Sequence, residues 1–63
     1  MHYRITVRGH VGERIEPIFP DLSVEDRHDL CVITGPVKDQ AQLHGIIALV
    51  RDLNVPLLAV EQF

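Results

Sequence analysis

The fold of this chain is decided by residues 34–45, TGPVKDQAQLHG, where a strand ends, the chain turns and a helix begins. Gly35-Pro36 ends the apolar run at residues 30–33, because proline fixes its own φ and has no N–H to donate. Asp39 and Gln42 have the spacing of a capping-box variant, which satisfies free N–H groups at the start of a helix. We therefore predict a strand before this turn and a capped helix after it.

The predicted helix runs from residue 40 to residue 53, and Asn54 is expected in its C-terminal cap because Pro56 prevents continuation. One side of it carries apolar residues at helical spacing, as in an amphipathic helix that covers a core. Those residues are Leu43, Ile46, Ile47, Val50 and Leu53.

The opposite side of the predicted helix carries small residues at Ala41, Gly45 and Ala48, in line with Asp52. Glycine in a helix interior costs about 1 kcal/mol relative to alanine, so Gly45 hints that another surface approaches closely. The alternative is an exposed helix face that merely tolerates small residues.

The rest of the chain supplies three further strands and one short helix. Residues 3, 5 and 7 are apolar and alternate with polar residues, which predicts a strand with one buried face. Residues 13–19 predict a short or irregular helix, and residues 57–60 predict a last strand. The runs at residues 22–25 and 30–33 predict a hairpin, separated by the polar cluster at residues 26–29.

This order of elements predicts a single α+β domain over residues 1–63, with a four-stranded antiparallel sheet and both helices on one face. The first strand is expected at the centre of the sheet, next to the third. Ile5, Val7, Ile47 and Val50 are expected in the core.

The βαββαβ order resembles the ferredoxin-like fold, which hosts many unrelated functions. Regulatory amino-acid-binding modules of the ACT type have this order and a similar length. The motif G-P-V-x-D-Q-A-x-L-H-G, at residues 35–45, is similar to a signature in small uncharacterised bacterial proteins, which implies no particular activity.

Composition limits the classes of function. A domain of 63 residues buries only about 60% of its unfolded surface, so its core is marginal and contact with a partner would add to its stability. The net charge of −3 argues against nucleic acid and anionic membranes as partners. A single cysteine and the lack of a leader or a spanning apolar segment lead us to expect a cytoplasmic protein.

The sheet face away from the helices, here called the open face, is the first candidate interface. Arg4, Thr6 and Arg8 are expected there, since they alternate with the predicted core residues of the first strand. The third strand is apolar on both sides, and we expect Cys31 and Ile33 to stand on the open face. A second copy of the chain or an anionic ligand would cover it, unless it is simply solvated. No aromatic residue is expected there, which argues against RNA recognition.

The sequence predicts no catalytic, cofactor-binding or metal site. The four histidines, at residues 2, 10, 28 and 44, have no metal-ligand spacing. Cys31 is expected to behave as a small buried hydrophobe without a lowered pKa. The loop containing Gly9, His10 and Gly12 follows a strand, but it lacks a full phosphate-binding fingerprint.

The function predicted from these features is a small self-associating interaction domain, dimeric or larger, without catalysis of its own. Its candidate interfaces are the open face and the small-residue face of the second helix. The alternative is an ACT-like module that binds a small anion or an amino acid near residues 9–12 at a subunit interface. The third hypothesis is a small enzyme or an enzyme subunit. The candidate interface residues are Arg4, Thr6, Arg8, Cys31, Ile33, Leu58, Ala41, Gly45 and Ala48.

Overall fold

The computed structural model describes residues 1–63 and contains six elements of secondary structure. They follow one another as strand, helix, strand, strand, helix and strand, which is the predicted order. Their bounds are β1 His2–Arg8, α1 Gly12–Ile15, β2 Ser23–Arg27, β3 Leu30–Pro36, α2 Gln40–Asp52 and β4 Leu57–Gln62.

The four strands form one antiparallel sheet in the order β2-β3-β1-β4. β1 lies between β3 and β4, so the prediction of a central first strand next to the third is confirmed. The chain is therefore an α+β protein with a four-stranded antiparallel sheet and two helices. No helix in it combines the length and the apolar character needed to cross a membrane.

One core cluster joins the sheet to both helices. Ile5 and Val7 of β1 are buried in it, as predicted. Ile15 from α1 and Val50 from α2 are buried in the same cluster, which places both helices on the same side of the sheet. The buried hydrophobic residues are Ile5, Val7, Val11, Ile15, Leu22, Cys31, Ile33, Val37, Ile46 and Val50.

The start of α2 is capped nearly as predicted. The Asp39 carboxylate accepts a hydrogen bond from the Gln42 N–H, with the two atoms 2.9 Å apart. The Gln42 side chain accepts a hydrogen bond from the Lys38 N–H at 2.6 Å, one residue before the position used in an ordinary capping box. The end of α2 is also as predicted, because Asn54 adopts a positive φ of 60° just beyond it.

Gly35 is required by the close packing of the turn before α2. Its φ is +157°, and a Cβ atom there would lie 2.8 Å from the Leu22 Cδ2 atom and 3.2 Å from the Leu22 Cα atom. A side chain at this position would thus collide with the backbone that leads into β2 as well as with a buried leucine. The glycine that ends the apolar run in the sequence also lets two chain segments touch.

Several predicted boundaries are wrong. β3 continues through Gly35 to Pro36, and β4 ends at Gln62 rather than at residue 60. α1 covers only Gly12–Ile15, and residues 16–18 form turns, because Pro17 cannot donate a backbone hydrogen bond. The hairpin turn contains only His28 and Asp29. Asp26 and Arg27 belong to β2, where they pair with Cys31 and Leu30 of β3.

The prediction that Cys31 and Ile33 stand on the open face is also wrong. Both are buried on the helix side of the sheet. The pairing register decides this, since Ile33 lies opposite Ile5 and Cys31 lies opposite Val7, and directly opposed residues share a face. An apolar run without alternation gave no sign of which residues face inward.

Ile47 was expected in the core but is only half-buried, whereas its neighbour Ile46 is fully buried. Ile46 and Val50 are four residues apart and so lie on one face of α2. Ile47 is turned by about 100° from Ile46 and stands on the flank of the helix.

Truncation of these two isoleucines should separate their roles. Ile46→Ala is expected to lower the free energy of unfolding by about 2–5 kcal/mol, because it leaves a cavity in the core. Ile47→Ala should cost about 1 kcal/mol, since the side chain is partly solvated. Urea unfolding followed by circular dichroism measures both values. A larger loss for Ile47→Ala than for Ile46→Ala would contradict the described packing of α2.

The cap of α2 gives a second prediction. Asp39→Ala should cost about 1 kcal/mol of stability, because the Gln42 N–H loses its acceptor. Asp39→Asn keeps an acceptor oxygen and is the matched control, expected to stay within about 0.5 kcal/mol of wild type. Equal losses for the two variants would show that this hydrogen bond contributes nothing to stability.

Candidate functional site

The open face carries the predicted residues of β1. Arg4, Thr6 and Arg8 alternate with buried residues, and both arginines are exposed. Thr6 lies opposite the half-buried Val32 of β3. The open face is therefore a polar strand bordered by a partly apolar one, rather than an apolar surface.

The arginines of the open face already have acidic neighbours within the chain. The Arg4 Nη1 atom lies 3.8 Å from the Glu61 Oε1 atom, and the Arg8 Nη1 atom lies 3.8 Å from the Asp29 Oδ2 atom. All four side chains are about half exposed or more, so each pair contributes at most about 1 kcal/mol to stability. The pairs nevertheless reduce the positive charge available to an anionic ligand.

A third ion pair on this face joins Arg27 to Glu25 of the same strand. Both side chains, with Arg4, Ser23, Val32 and Thr34, line a shallow depression of about 350 Å³. The depression is lined by two guanidinium groups, one carboxylate and a single apolar side chain. No buried side-chain nitrogen or oxygen without a hydrogen-bond partner lines it.

Phe63 lies at the edge of the open face, where no aromatic residue was expected. Its ring centroid is 5.3 Å from the Arg4 guanidinium carbon and 6.0 Å from the centroid of the His2 ring. Its backbone N–H donates to the His2 carbonyl at 2.9 Å, which extends the pairing of β1 with β4 by one residue. The sequence interpretation missed it because Phe63 follows the predicted last strand.

Cys31 is fully buried, as expected of a small hydrophobe. Burial first, and the Asp26 carboxylate second, raise the pKa of Cys31 to about 11, after a hydrogen bond from the Val11 backbone has partly offset both effects. A thiol with this pKa stays protonated near neutral pH and is a poor nucleophile.

The loop between β1 and α1 is closed by the chain itself. A Cβ atom on Gly12 would lie 3.1 Å and 3.3 Å from the two Asp26 carboxylate oxygens. A Cβ atom on Gly9, whose φ is +114°, would lie 3.4 Å from the Val55 side chain. Only His10 of the three candidate loop residues is exposed. The carboxylate beside Gly12 occupies the position where an anion was expected.

The small-residue face of α2 is open to solvent. Ala41, Gly45 and Ala48 are all exposed, and a Cβ atom on Gly45 would have nothing within 4 Å. No contact within the chain requires a glycine at position 45. His44 is also exposed on this helix.

The largest group of exposed apolar side chains lies in and just after β4. Leu57, Leu58, Val60 and Phe63 are 43%, 44%, 39% and 63% exposed, and we call these four residues the β4 patch. Leu58 is one of the interface residues predicted from the sequence, and the other three are not. The sequence signal for Leu57 and Val60 is the run of four apolar residues at 57–60, which does not alternate although it lies in an edge strand.

The ionisable side chains are scattered. No three His, Cys, Asp or Glu side chains are grouped as ligands of a metal ion would be. None of the buried side chains is polar apart from the thiol of Cys31.

Comparison with known proteins identifies a family but no activity. The model of a family described as a domain of unknown function, DUF8691, matches residues 2–61. No curated protein and no solved structure matches the sequence.

The raised pKa of Cys31 predicts a dependence of stability on pH. The unfolded thiol ionises near about 8.5, whereas the folded thiol keeps its proton until about pH 11. The stabilisation from the neutral folded thiol is therefore complete below about pH 8.5 and is lost as the pH rises through 11.

Urea unfolding from neutral to alkaline pH, with Cys31→Ala as the control, measures this effect. The stability of the wild type should fall relative to the variant as the pH rises above about 8.5. The difference isolates Cys31, because the remaining groups titrate in both proteins. A constant difference across that range would contradict the raised pKa.

Proposed function

The chain belongs to the DUF8691 family, and we propose that it is a small interaction module that works by self-association and has no catalysis of its own. The β4 patch carries this proposal. It holds four of the six large hydrophobic residues that are exposed, within seven consecutive positions. Val60 lies on the helix side of this edge strand and Phe63 lies beside the open face, so the exposed apolar side chains flank the free edge of β4 on both sides. Such a concentration in so small a domain is typical of a protein–protein contact.

Energetics support self-association. The domain is near the lower size limit for an independent core, so each further apolar surface that it buries matters. Burial contributes about 25 cal/mol for each square ångström, before the cost of association is subtracted. The open face offers less for this purpose, because Ile33 is in the core and the arginines are paired.

The proposal that the domain lacks catalysis is supported by the state of its reactive groups. Cys31, the only thiol, is buried and has a raised pKa. The four histidines are exposed. None of the histidines is hydrogen-bonded to a hydroxyl or thiol side chain, which is the arrangement that activates a nucleophile.

We propose a ferredoxin-like arrangement, supported by the βαββαβ order and by the central positions of β1 and β3. An ACT-like site for an anion or an amino acid near residues 9–12 has less support, because the Asp26 carboxylate lies against Gly12 and would repel an anion.

Sedimentation equilibrium of the wild-type protein tests self-association. The average mass should rise from that of a monomer towards a multiple of it between low and high micromolar concentrations. Val60→Lys should restore the monomer at every concentration, because it places a charge in the β4 patch. A wild type that remains monomeric at high micromolar concentration would refute the proposal.

Two control variants locate the contact. Val32→Lys makes the same change on the open face, and Gly45→Arg places a bulky cation on the small-residue face of α2. Both should associate like the wild type, with circular dichroism confirming that each is folded. Dissociation by either control, with no effect of Val60→Lys, would move the interface away from the β4 patch.

A further inference from the structure

We propose that a second copy of the chain pairs with the free edge of β4 in an antiparallel orientation, which joins two sheets into one of eight strands. The α2 helices of the two copies would then pack side by side above that sheet. This inference rests on the proposed self-association and states its geometry.

The two edges of the sheet differ in how they are protected. β2 carries three consecutive charged residues, Glu25, Asp26 and Arg27, and charges of this kind discourage strand addition. β4 contains no lysine, and Glu61 is its only charged residue. Its bulge lies near Leu58, at the start of the strand, and leaves Ala59–Gln62 in regular register with β1. The β4 edge is therefore the one open to a new strand.

The hydrogen-bonding pattern shows which backbone groups are free at this edge. The Phe63 N–H donates to the His2 carbonyl, so these two residues form a hydrogen-bonded pair of β1 and β4. Such pairs alternate along an antiparallel ladder. The N–H and C=O groups of Val60 and Gln62 therefore point away from β1, towards the free edge.

One two-fold register uses these groups and avoids repulsion. With Val60 opposite its own symmetry mate, the two valines exchange backbone hydrogen bonds, and their β-branched side chains meet on the helix side of the sheet. Glu61 then faces Ala59 of the other copy, so no like charges stand opposite each other. Two-fold pairing also covers both β4 edges at once, whereas an added peptide would leave its own edge free.

The edge of β4 is too small to hold a dimer by itself. A strand of six residues is about 20 Å long and a sheet is about 10 Å thick, so the edge offers about 200 Å². A standard interface takes about 800 Å² from each partner, about a fifth of the 4186 Å² surface of this chain. The remaining contact must come from the element next to β4, which is α2.

α2 is placed to supply it. Val50 packs in the core with Ile5 of β1, and Ile47 and Arg51 line a depression of about 220 Å³ together with Leu57 of β4. α2 therefore lies above β1 and β4. A helix midway between two strands is about half a strand spacing from β4, which puts the two α2 axes about 10 Å apart across the joined sheets. Packed helices are about 8–10 Å apart, so the geometry fits.

The side of α2 next to β4 carries Ile47, an apolar side chain that the proposed contact would bury. Its half-buried side chain also lines a second depression of about 400 Å³, which is bordered by His44, Ala48 and Arg51. Ile47 therefore stands between two depressions on this side of α2. In the proposed dimer, Ile47 of the second copy would enter one of them. The contact would cover Ile47 and Leu57 and would leave Gly45 exposed.

Hydrogen exchange of the wild-type protein, followed by NMR at low and high micromolar concentration, tests this geometry. The amide protons of Val60 and Gln62 should exchange more slowly by about tenfold or more at the concentration where the dimer forms. The amides of β2 that point away from β3 are the internal control and should exchange rapidly at both concentrations. The β1–β3 amides should be protected at both.

The outcomes separate this inference from the proposed function. A protein that stays monomeric refutes self-association itself. A protein that dimerises while its Val60 and Gln62 amides exchange equally fast at both concentrations refutes the β4 pairing and leaves self-association standing. Ile47→Gln should weaken the dimer by about tenfold while the fold is retained, and an unchanged dissociation constant would refute the contact between helices.

Discussion

The pairing of β1 with β3 is the constraint on which the rest of the structure depends. It sets Ile5 against Ile33 and Val7 against Cys31, and these four side chains form the floor on which both helices pack. A slip of one residue in this register would send the whole apolar set to the opposite face of the sheet. The positions of the core, of the helices and of the open face all follow from this one alignment.

The same alignment explains why the open face is polar. Once Cys31 and Ile33 face inward, the outer side of the two central strands carries a histidine, two arginines, two threonines, a proline and two partly covered apolar residues. Arg4 and Arg8 find carboxylates on β4 and in the hairpin turn. This surface is compensated in charge and suited to contact with water, so the unsatisfied apolar area of the molecule lies elsewhere.

The exposed apolar area lies at one edge of the sheet. The two helices cover one face of the sheet and leave its two edge strands exposed. β2 carries three charged residues, which disfavour strand addition, and it contacts α1. β4, at the other edge, carries two leucines and a valine that α2 covers incompletely. A strand edge with apolar neighbours and free backbone groups favours strand addition, and the two-fold symmetry of a dimer satisfies both copies together. The proposed function and the proposed dimer geometry both follow from this asymmetry between the edges.

The elements and their order can be predicted from the sequence, because the signals for them are local. Alternation in β1, the Asp39 cap and Asn54 each act within a few residues, and these three were found where predicted. Gly35 and Pro36 instead lie inside β3 and form its end. The packing of the folded chain determines which face of β3 is buried, since Leu30–Ile33 is apolar throughout and pairing with β1 sets its orientation. It also placed Ile47 on a flank, brought Asp26 against Gly12, and left the β4 patch uncovered. These features depend on contacts between residues far apart in the chain, which local periodicity does not encode.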